Sequence, residues 1–110
     1  MDLKAHEAEF ISLMIKENIG ELDVERTALF YILAITELYE HIQRIYNFEE
    51  QSIKSDGLKE DYFSDSLRIM IKLAFKLYKA YESQTSFANL SKLESTNFDI
   101  SMNAIKIRFK

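Results

Sequence analysis

The sequence predicts an all-α fold, a compact single-domain bundle of about five helices. Two observations carry this prediction. The chain of 110 residues contains two glycines and no proline, where average usage would give roughly 8 and 5, so few residues are suited to loops. In most segments the apolar residues recur with a period near 3.6, which is the period of a helix. The length is that of one domain, and we assign residues 1–110 to a single helical domain.

The first two helices are predicted over residues 3–18 and from Asp23 onward. The apolar stripe of the first helix consists of Leu3, Phe10, Leu13 and Met14, with Ile11 and Ile15 beside it. Gly20 is placed to end that helix, because glycine adopts the left-handed conformation without steric cost. Asp23 is a predicted N-cap, whose carboxylate accepts from free backbone N–H groups. The run at 28–35 is entirely apolar, so as a helix it must be buried nearly all round.

The middle of the chain predicts a third helix followed by a long connection. Thr36 interrupts the apolar run, which indicates a kink or a tight turn. A helix over 37–48 should follow, and its buried face is marked by Leu38, Ile42, Ile45 and Phe48. Residues 49–64 have the least periodic pattern and contain Gly57. A connection of this length usually carries a short helical turn, a function or mobility.

The last part of the chain predicts a fourth helix, one or two short turns around 87–93, and a terminal helix. Ser64 is a suitable N-cap for a helix over 65–81, whose apolar residues cover most of its circumference, and we expect it to be the central helix. Asn97 should cap a last helix over 98–109, with a stripe of Phe98, Met102, Ile105 and Phe109. Residues 105–110 also alternate strictly, so a short C-terminal strand is the alternative there. The stripe favours the helix.

The composition excludes several kinds of chemistry. Without cysteine there is no disulfide, no thiolate nucleophile and no cysteine-bearing metal site. Gly20 and Gly57 lie far apart, so neither a P-loop nor a dinucleotide-binding motif fits the sequence. No signal peptide or membrane-spanning run is recognisable, and we expect a cytoplasmic protein. We predict no catalytic residue, no cofactor and no metal, and we expect that the protein is not an enzyme.

Histidine offers the one alternative that would make the protein an enzyme. His41 follows Glu37 by four residues. On a helix this spacing places both side chains on one face, where a carboxylate can orient an imidazole or both can bind a metal. A small hydrolase built on this pair is an alternative hypothesis, although no third ligand has a suitable spacing.

The charges are distributed unevenly along the chain. Residues 1–65 hold 15 acidic and 6 basic side chains, whereas residues 66–110 hold 3 acidic and 8 basic ones. This asymmetry predicts two partner-binding surfaces, unless the two halves pack together and neutralise each other. The acidic surface comprises Glu49, Glu50, Asp56, Glu60, Asp61 and Asp65. The basic ridge on the fourth helix comprises Arg68, Lys72, Lys76 and Lys79.

These surfaces favour a module that binds a protein partner without catalysis, and a homodimer is compatible with the sequence. The acidic half could present carboxylates to a basic groove, as a nucleic-acid mimic does. The alternative is an accessory protein that binds nucleic acid through the basic ridge and through Lys106, Arg108 and Lys110. The pI of about 5.2 and the lack of a recognition-helix pattern weigh against that alternative. The six tyrosines are expected mainly at the edge of the core.

Four runs of the sequence are similar to those of a known family. They are DVERTALFYILA at 23–34, IYNFEE at 45–50 with IK at 53–54, IKLAFKLY at 71–78 and NAIKIRF at 103–109. The chain resembles a domain-of-unknown-function family of short proteins from low-GC Gram-positive bacteria and their phages and mobile elements. It departs from the family at Ile35 and Thr36, where the family has Gly-Asn, and at Ser55, where it has proline. The resemblance implies no activity. It implies a mobile-element context, in which small acidic proteins often block host defence proteins, as anti-CRISPR proteins do.

Overall fold

Helix α2 (Val24–Leu33) occupies the centre of the structure, a computed structural model that describes residues 3–20, 22–54, 63–78 and 90–109. It contacts helix α1 (Leu3–Lys16), helix α4 (Asp65–Leu77) and helix α5 (Ser95–Phe109). The run at 28–35 is buried, as its apolar composition predicts, except for Tyr31, which is half-buried. The central position therefore belongs to α2, and the prediction that the fourth helix would be central was wrong.

The helix starts follow the capping residues that the sequence predicts. The Asp23 carboxylate accepts a hydrogen bond from the Arg26 backbone N–H at 3.1 Å, at the start of α2. Ser64 Oγ accepts one from the Leu67 N–H at 3.2 Å, at the start of α4. Each cap satisfies one of the N–H groups that a helix leaves free in its first turn. Of the three predicted N-caps, Asp23 and Ser64 are confirmed.

Helix α1 ends at Lys16, and the residue that ends it is Asn18 rather than the predicted Gly20. Asn18 has a φ of 51°. Its N–H donates to the Ile15 carbonyl at 3.1 Å, and the N–H of the next residue donates to the Met14 carbonyl at 3.0 Å. This pair of bonds is the Schellman motif, which needs one residue in the left-handed region. Asparagine tolerates that region better than other residues with a side chain.

The third helix predicted over 37–48 was wrong. The predicted turn before it is present, because Ile35 is extended and α3 (Thr36–Tyr39) begins after it. The chain then forms a 3₁₀ turn (Ile42–Arg44) and an antiparallel hairpin of β1 (Tyr46–Asn47) and β2 (Ser52–Ile53). Tyr46 pairs with Ile53, and Asn47 with Ser52.

Asn47 explains why a hairpin replaces the end of the predicted helix. Its Oδ1 accepts hydrogen bonds from the N–H groups of Glu49 at 3.0 Å and Glu50 at 3.1 Å. An asparagine side chain that bonds the backbone in this way offers the chain an alternative to the helix. The Tyr78 hydroxyl donates to the Gln51 carbonyl at 3.1 Å and ties the turn to the end of α4.

Helix α4 ends earlier than residue 81, because Tyr78 adopts an extended conformation with a ψ of 111°. Helix α5 begins earlier than expected, so that Asn97 lies inside the helix and does not cap it. The alternating segment at 105–110 is described through Phe109. That part is helical, as the apolar stripe predicts, and forms no strand. Mostly helical architecture is therefore confirmed, with one small hairpin in the middle of the chain.

The buried face of α5 differs from the predicted stripe. Its buried residues are Asn97, Ile100, Ser101 and Ala104, while Phe98 and Phe109 are exposed. The buried face includes two small residues, and Ser101 Oγ lies 3.2 Å from the Met70 sulfur of α4. The buried Ser101 hydroxyl donates a hydrogen bond to the Asn97 backbone carbonyl at 2.9 Å. Of the predicted stripe, Met102 and Ile105 are half-buried against the core, whereas Phe98 and Phe109 are exposed.

Candidate functional site

His6 lies on the inner side of α1 and is 4% exposed. Its Nε2–H donates to the backbone carbonyl of Tyr31 at 2.7 Å. That carbonyl belongs to the last turn of α2, where carbonyl groups lack partners within the helix. The N–H of Ile35, which would reach Tyr31 in a longer helix, donates instead to the Ile32 carbonyl at 3.0 Å. His6 therefore caps the carboxyl end of α2 from a neighbouring helix.

The bond to the carbonyl also fixes the tautomer of His6. A carbonyl oxygen can only accept, so Nε2 of His6 carries a proton. The ring lies edge-on to the Tyr31 ring at 4.7 Å, and Phe10 does the same at 5.1 Å. The Tyr31 hydroxyl accepts from Asn103 Nδ2 at 3.3 Å. Tyr31 thus joins α1, α2 and α5.

A cavity of about 510 Å³ opens beside this histidine, between α1 and α5. Its lining residues are His6, Glu7, Phe10, Tyr31, Thr96, Asp99, Ile100 and Asn103. The polar side chains of the lining are two carboxylates, one imidazole, one amide and two hydroxyl-bearing residues, Tyr31 and Thr96. Metal binding has no support there or elsewhere in the described ranges, because no three histidine, aspartate or glutamate side chains converge.

A second cavity, of about 620 Å³, lies where α4 and α5 begin. Its lining residues are Glu37, Ser64, Ser66, Leu67, Lys92, Leu93, Glu94 and Asn97. Asn97 is 7% exposed, and its Oδ1 is buried without a hydrogen-bond partner in the described structure. Neither cavity was predicted from the sequence. No local signal marks them, because His6 lies between Ala5 and Glu7 and Asn97 between Thr96 and Phe98.

The described residues include three of the six members of the predicted acidic surface. Glu49 and Glu50 are exposed on the turn of the hairpin. Asp65 is exposed at the start of α4 and forms an ion pair with Arg68 at 3.5 Å. Asp56, Glu60 and Asp61 lie outside the described residues. Asp65 of the predicted acidic surface therefore pairs with Arg68 of the predicted basic ridge.

The predicted basic ridge follows α4, but only part of it faces solvent. Lys76 is exposed, Arg68 and Lys72 are half-buried, and Lys79 lies outside the described residues. Arg108 Nε donates to the Leu77 carbonyl at 3.0 Å and so caps the carboxyl end of α4. That guanidinium contributes to packing between α4 and α5. Lys106 is exposed, and Lys110 is outside the described ranges.

The pairing of His41 with Glu37 on one helical face is not present. Helix α3 ends at Tyr39, so the spacing of four residues no longer places the two side chains above one another. His41 precedes the 3₁₀ turn and lies edge-on to the ring of Phe63 at 5.9 Å. The geometric premise of the hydrolase hypothesis was therefore wrong.

Two groups of charges near α1 are only partly hydrated. Arg26 pairs with Glu17 at 3.3 Å and with Asp23 at 3.5 Å, which ties the end of α1 to the start of α2. On another part of α1, burial raises the pKa of Glu9, and the nearby carboxylates of Glu40 and Glu37 raise it further. Both causes favour the protonated form of Glu9.

The outward side of α1 carries an apolar surface. Its isoleucines, Ile11 and Ile15, were predicted to lie beside the apolar stripe that faces the core. Ile11 is 47% exposed and Ile15 is 74% exposed. Ala8 is exposed on the same side. Leu22, in the turn after the helix, is 96% exposed. Their positions in the sequence indicate this exposure. Each isoleucine is two residues from the buried Leu13, and residues two apart lie on opposite sides of a helix.

Helices of the described ranges are all too short or too polar to cross a bilayer. Neither curated proteins nor solved structures give a match to the chain. A family model matches residues 2–110, and its description is a family of unknown function (DUF6075). The match covers nearly the whole chain and agrees with the resemblance stated above. The chain therefore belongs to the DUF6075 family.

Proposed function

We propose that the protein is a non-enzymatic module that binds a protein partner and acts by covering the partner's working surface. The observation that carries this proposal is the outward face of α1, with Ala8, Ile11 and Ile15 at positions i, i+3 and i+7. This spacing places the three side chains in one row along the helix. Helices that insert into a groove of another protein use the same spacing for their anchors.

The inner face of α1 is already committed to the fold, which leaves the outer face available. Leu13 is buried, and His6 is bonded to α2. The outer row can therefore enter a partner without any unfolding of the domain. Burying the exposed parts of Ile11 and Ile15 would contribute about 1–2 kcal/mol each.

The occupant that fits this face is an apolar groove with a polar rim on another protein. The apolar row is narrow, because Glu7 and Ser12 flank it on the helix surface and Lys4 continues it toward the start of α1. A narrow apolar row with polar flanks matches the usual arrangement of an interface, with an apolar centre and a polar edge. Glu49, Glu50 and Lys76 are exposed elsewhere and would act through long-range steering or at the edge of a larger contact.

The class of partner follows from the family resemblance rather than from geometry. Small acidic proteins of phages and mobile elements often block host defence proteins. We therefore place the partner among defence effectors, such as CRISPR-associated nucleases. Inhibition would be stoichiometric, since the proposal assigns no chemical step to the protein.

The experiment that tests the proposal measures binding to a panel of purified defence nucleases. Ile15→Asp should weaken binding at least tenfold, because a charge would have to lose its water in an apolar groove. Phe109→Asp is the matched control, since it makes the same kind of change at an exposed apolar side chain of α5. Equal affinity of the two variants would argue against the α1 face. Self-association that Ile15→Asp abolishes would show that a second copy covers the face instead.

Nucleic-acid binding is the second candidate function, and the observation behind it is the exposure of Lys76 and Lys106. Each phosphate contact would make binding more sensitive to salt. Mobility-shift assays with DNA and RNA at low salt test this candidate. Unchanged mobility would reject it, whereas a shift lost in Lys76→Glu would favour it over the protein-binding proposal.

A further inference from the structure

Helix α5 carries a second apolar surface, which we call the α5 stripe and which consists of Phe98, Met102, Ile105 and Phe109. Phe98 is 38% exposed and Phe109 is 70% exposed. Met102 and Ile105 lie between them and are half-buried, so that part of each side chain still faces solvent. Exposed aromatic side chains that belong to one apolar surface are typical of protein interfaces. The packing of the free domain therefore uses only part of the stripe.

The spacing of the α5 stripe is that of a coiled-coil seam. Its members follow one another by 4, 3 and 4 residues, and a helix presents apolar side chains to a partner helix with this alternation. The spacing is also the same when it is read from either end. When a second α5 packs antiparallel, Phe98 of one copy lies opposite Phe109 of the other, and Met102 lies opposite Ile105. A two-fold axis at the middle of the stripe therefore pairs it with itself, as a symmetric dimer requires.

The charges beside the stripe favour the antiparallel arrangement. Asp99 and Lys106 flank the stripe on the side that faces away from the core, and both are exposed. In the antiparallel arrangement Asp99 of each copy lies beside Lys106 of the other, so that two ion pairs form across the axis. In a parallel arrangement Asp99 would lie beside Glu94 of the second copy, and the two carboxylates would repel. Charges that flank an apolar seam set the orientation of paired helices in this way.

The two charges are available for such pairing, whereas the opposite flank of the stripe is not. Among the described residues, neither Asp99 nor Lys106 forms an ion pair within its own chain. On the flank that faces the core, Ser101 is buried and Arg108 donates to the Leu77 carbonyl. A second α5 would therefore meet the stripe from its outer side, where the charges are.

We propose that the protein forms a symmetric dimer in which the α5 stripes of two copies pack antiparallel. The contact follows about three helical turns of each copy, which places it at the small end of specific interfaces. Association should therefore be weak, with a Kd on the order of 10–100 μM. The interface is separate from the outward face of α1, and the inference does not depend on the function proposed for that face.

Sedimentation velocity over a concentration series up to about 1 mM measures this association. Asp99→Lys and Lys106→Glu each place like charges at both ion-pair positions, so each variant alone should dimerise at least tenfold more weakly than the wild type. An equimolar mixture of the two variants should dimerise again, because each charge then lies beside its opposite in the mixed dimer. Both positions are exposed, so the variants should keep the fold and melting temperature of the wild type within a few degrees.

Three further variants separate the α5 stripe from other surfaces. Glu50→Lys makes the same charge reversal on the exposed hairpin turn and should dimerise like the wild type. Ile15→Asp alters the α1 face alone and should also dimerise normally. Phe109→Asp should be monomeric over the same series, while any binding through the α1 face is retained. Failure of one of the two proposals is therefore distinguishable from failure of the other.

Four results would overturn the inference. A wild type that stays monomeric throughout the series would show that no dimer forms. A mixture of Asp99→Lys and Lys106→Glu that associates no better than either variant alone would exclude the antiparallel pairing. Stronger association of Asp99→Lys alone would indicate a parallel contact. Dimerisation that Ile15→Asp abolishes and Asp99→Lys retains would assign the contact to α1.

Discussion

The replacement of His6 by alanine tests whether one side chain of α1 completes the end of α2. The variant removes the donor to the Tyr31 carbonyl, which leaves a buried acceptor unpaired. An unpaired buried group of this kind costs about 1–3 kcal/mol. Loss of the edge-on ring contact with Tyr31 adds about 0.5–1.5 kcal/mol. Together these effects predict a loss of roughly 2–4 kcal/mol in the free energy of unfolding.

Urea unfolding of the wild type and the variant measures this loss directly. A domain of this size unfolds with about 5–15 kcal/mol, so the variant should remain folded with a clearly lower midpoint. His6→Gln offers a donor of similar reach and should recover about 1 kcal/mol of the loss. Ser12→Ala, on the exposed side of the same helix, should differ from the wild type by less than about 0.5 kcal/mol. A His6→Ala variant as stable as Ser12→Ala would refute the capping role.

Four further substitutions test other parts of the fold. Glu9→Gln should stabilise the protein at neutral pH. Burial raises the pKa of Glu9 in the folded state above its usual 4.5. Ionisation of Glu9 therefore lowers the free energy of unfolding as the pH rises through that folded pKa. Melting temperatures should show the advantage at pH 7 and its disappearance in acid, and an advantage independent of pH would contradict this cause. Asp23→Ala should cost about 1 kcal/mol through loss of the N-cap, and Ser64→Ala a similar amount at α4; urea midpoints equal to the wild type would show that these caps are dispensable. Arg108→Met should cost about 1–3 kcal/mol, because the Leu77 carbonyl loses its charged donor. The end of α4 should fray in that variant, so its backbone amides should exchange faster. Slower exchange there would contradict the capping role of Arg108.

The features that the sequence predicts well are those decided by neighbours along the chain. Asp23 and Ser64 cap helices because their short side chains reach backbone N–H groups three residues on. The run at 28–35 is buried because it offers no polar side to water. The overall helical class follows from the same local patterns and from the shortage of glycine and proline.

The features that the sequence does not predict depend on contacts between distant residues or on a choice between two local patterns. The buried face of α5 is set by its packing against α2 and α4, where Ser101 and Ala104 are buried while Phe98 is exposed. Periodicity gives large apolar residues the greatest weight, so it places Phe98 and Phe109 in the core, where only Met102 and Ile105 of the predicted stripe pack. The hairpin depends on Asn47, whose side chain bonds the turn in place of a helix.

The candidate sites share this dependence on tertiary structure. His6 is identifiable as buried only once the end of α2 lies against α1. The cavity at Asn97 forms only when the starts of α4 and α5 meet. Residue types alone give no sign of either arrangement. The outward face of α1, by contrast, follows from the helical positions of Ile11 and Ile15 once the buried side of the helix is known.

The most direct measurement of the proposed function is an isoleucine methyl NMR titration with a defence nuclease that the protein binds. The proposal predicts that the methyl signals of Ile11 and Ile15 shift or broaden on binding, while that of the buried Ile71 changes little. The exposed amides of the hairpin turn and the region of Lys76 serve as comparison surfaces in the same sample. Unchanged signals of Ile11 and Ile15, together with changes at those comparison surfaces, would contradict the proposal.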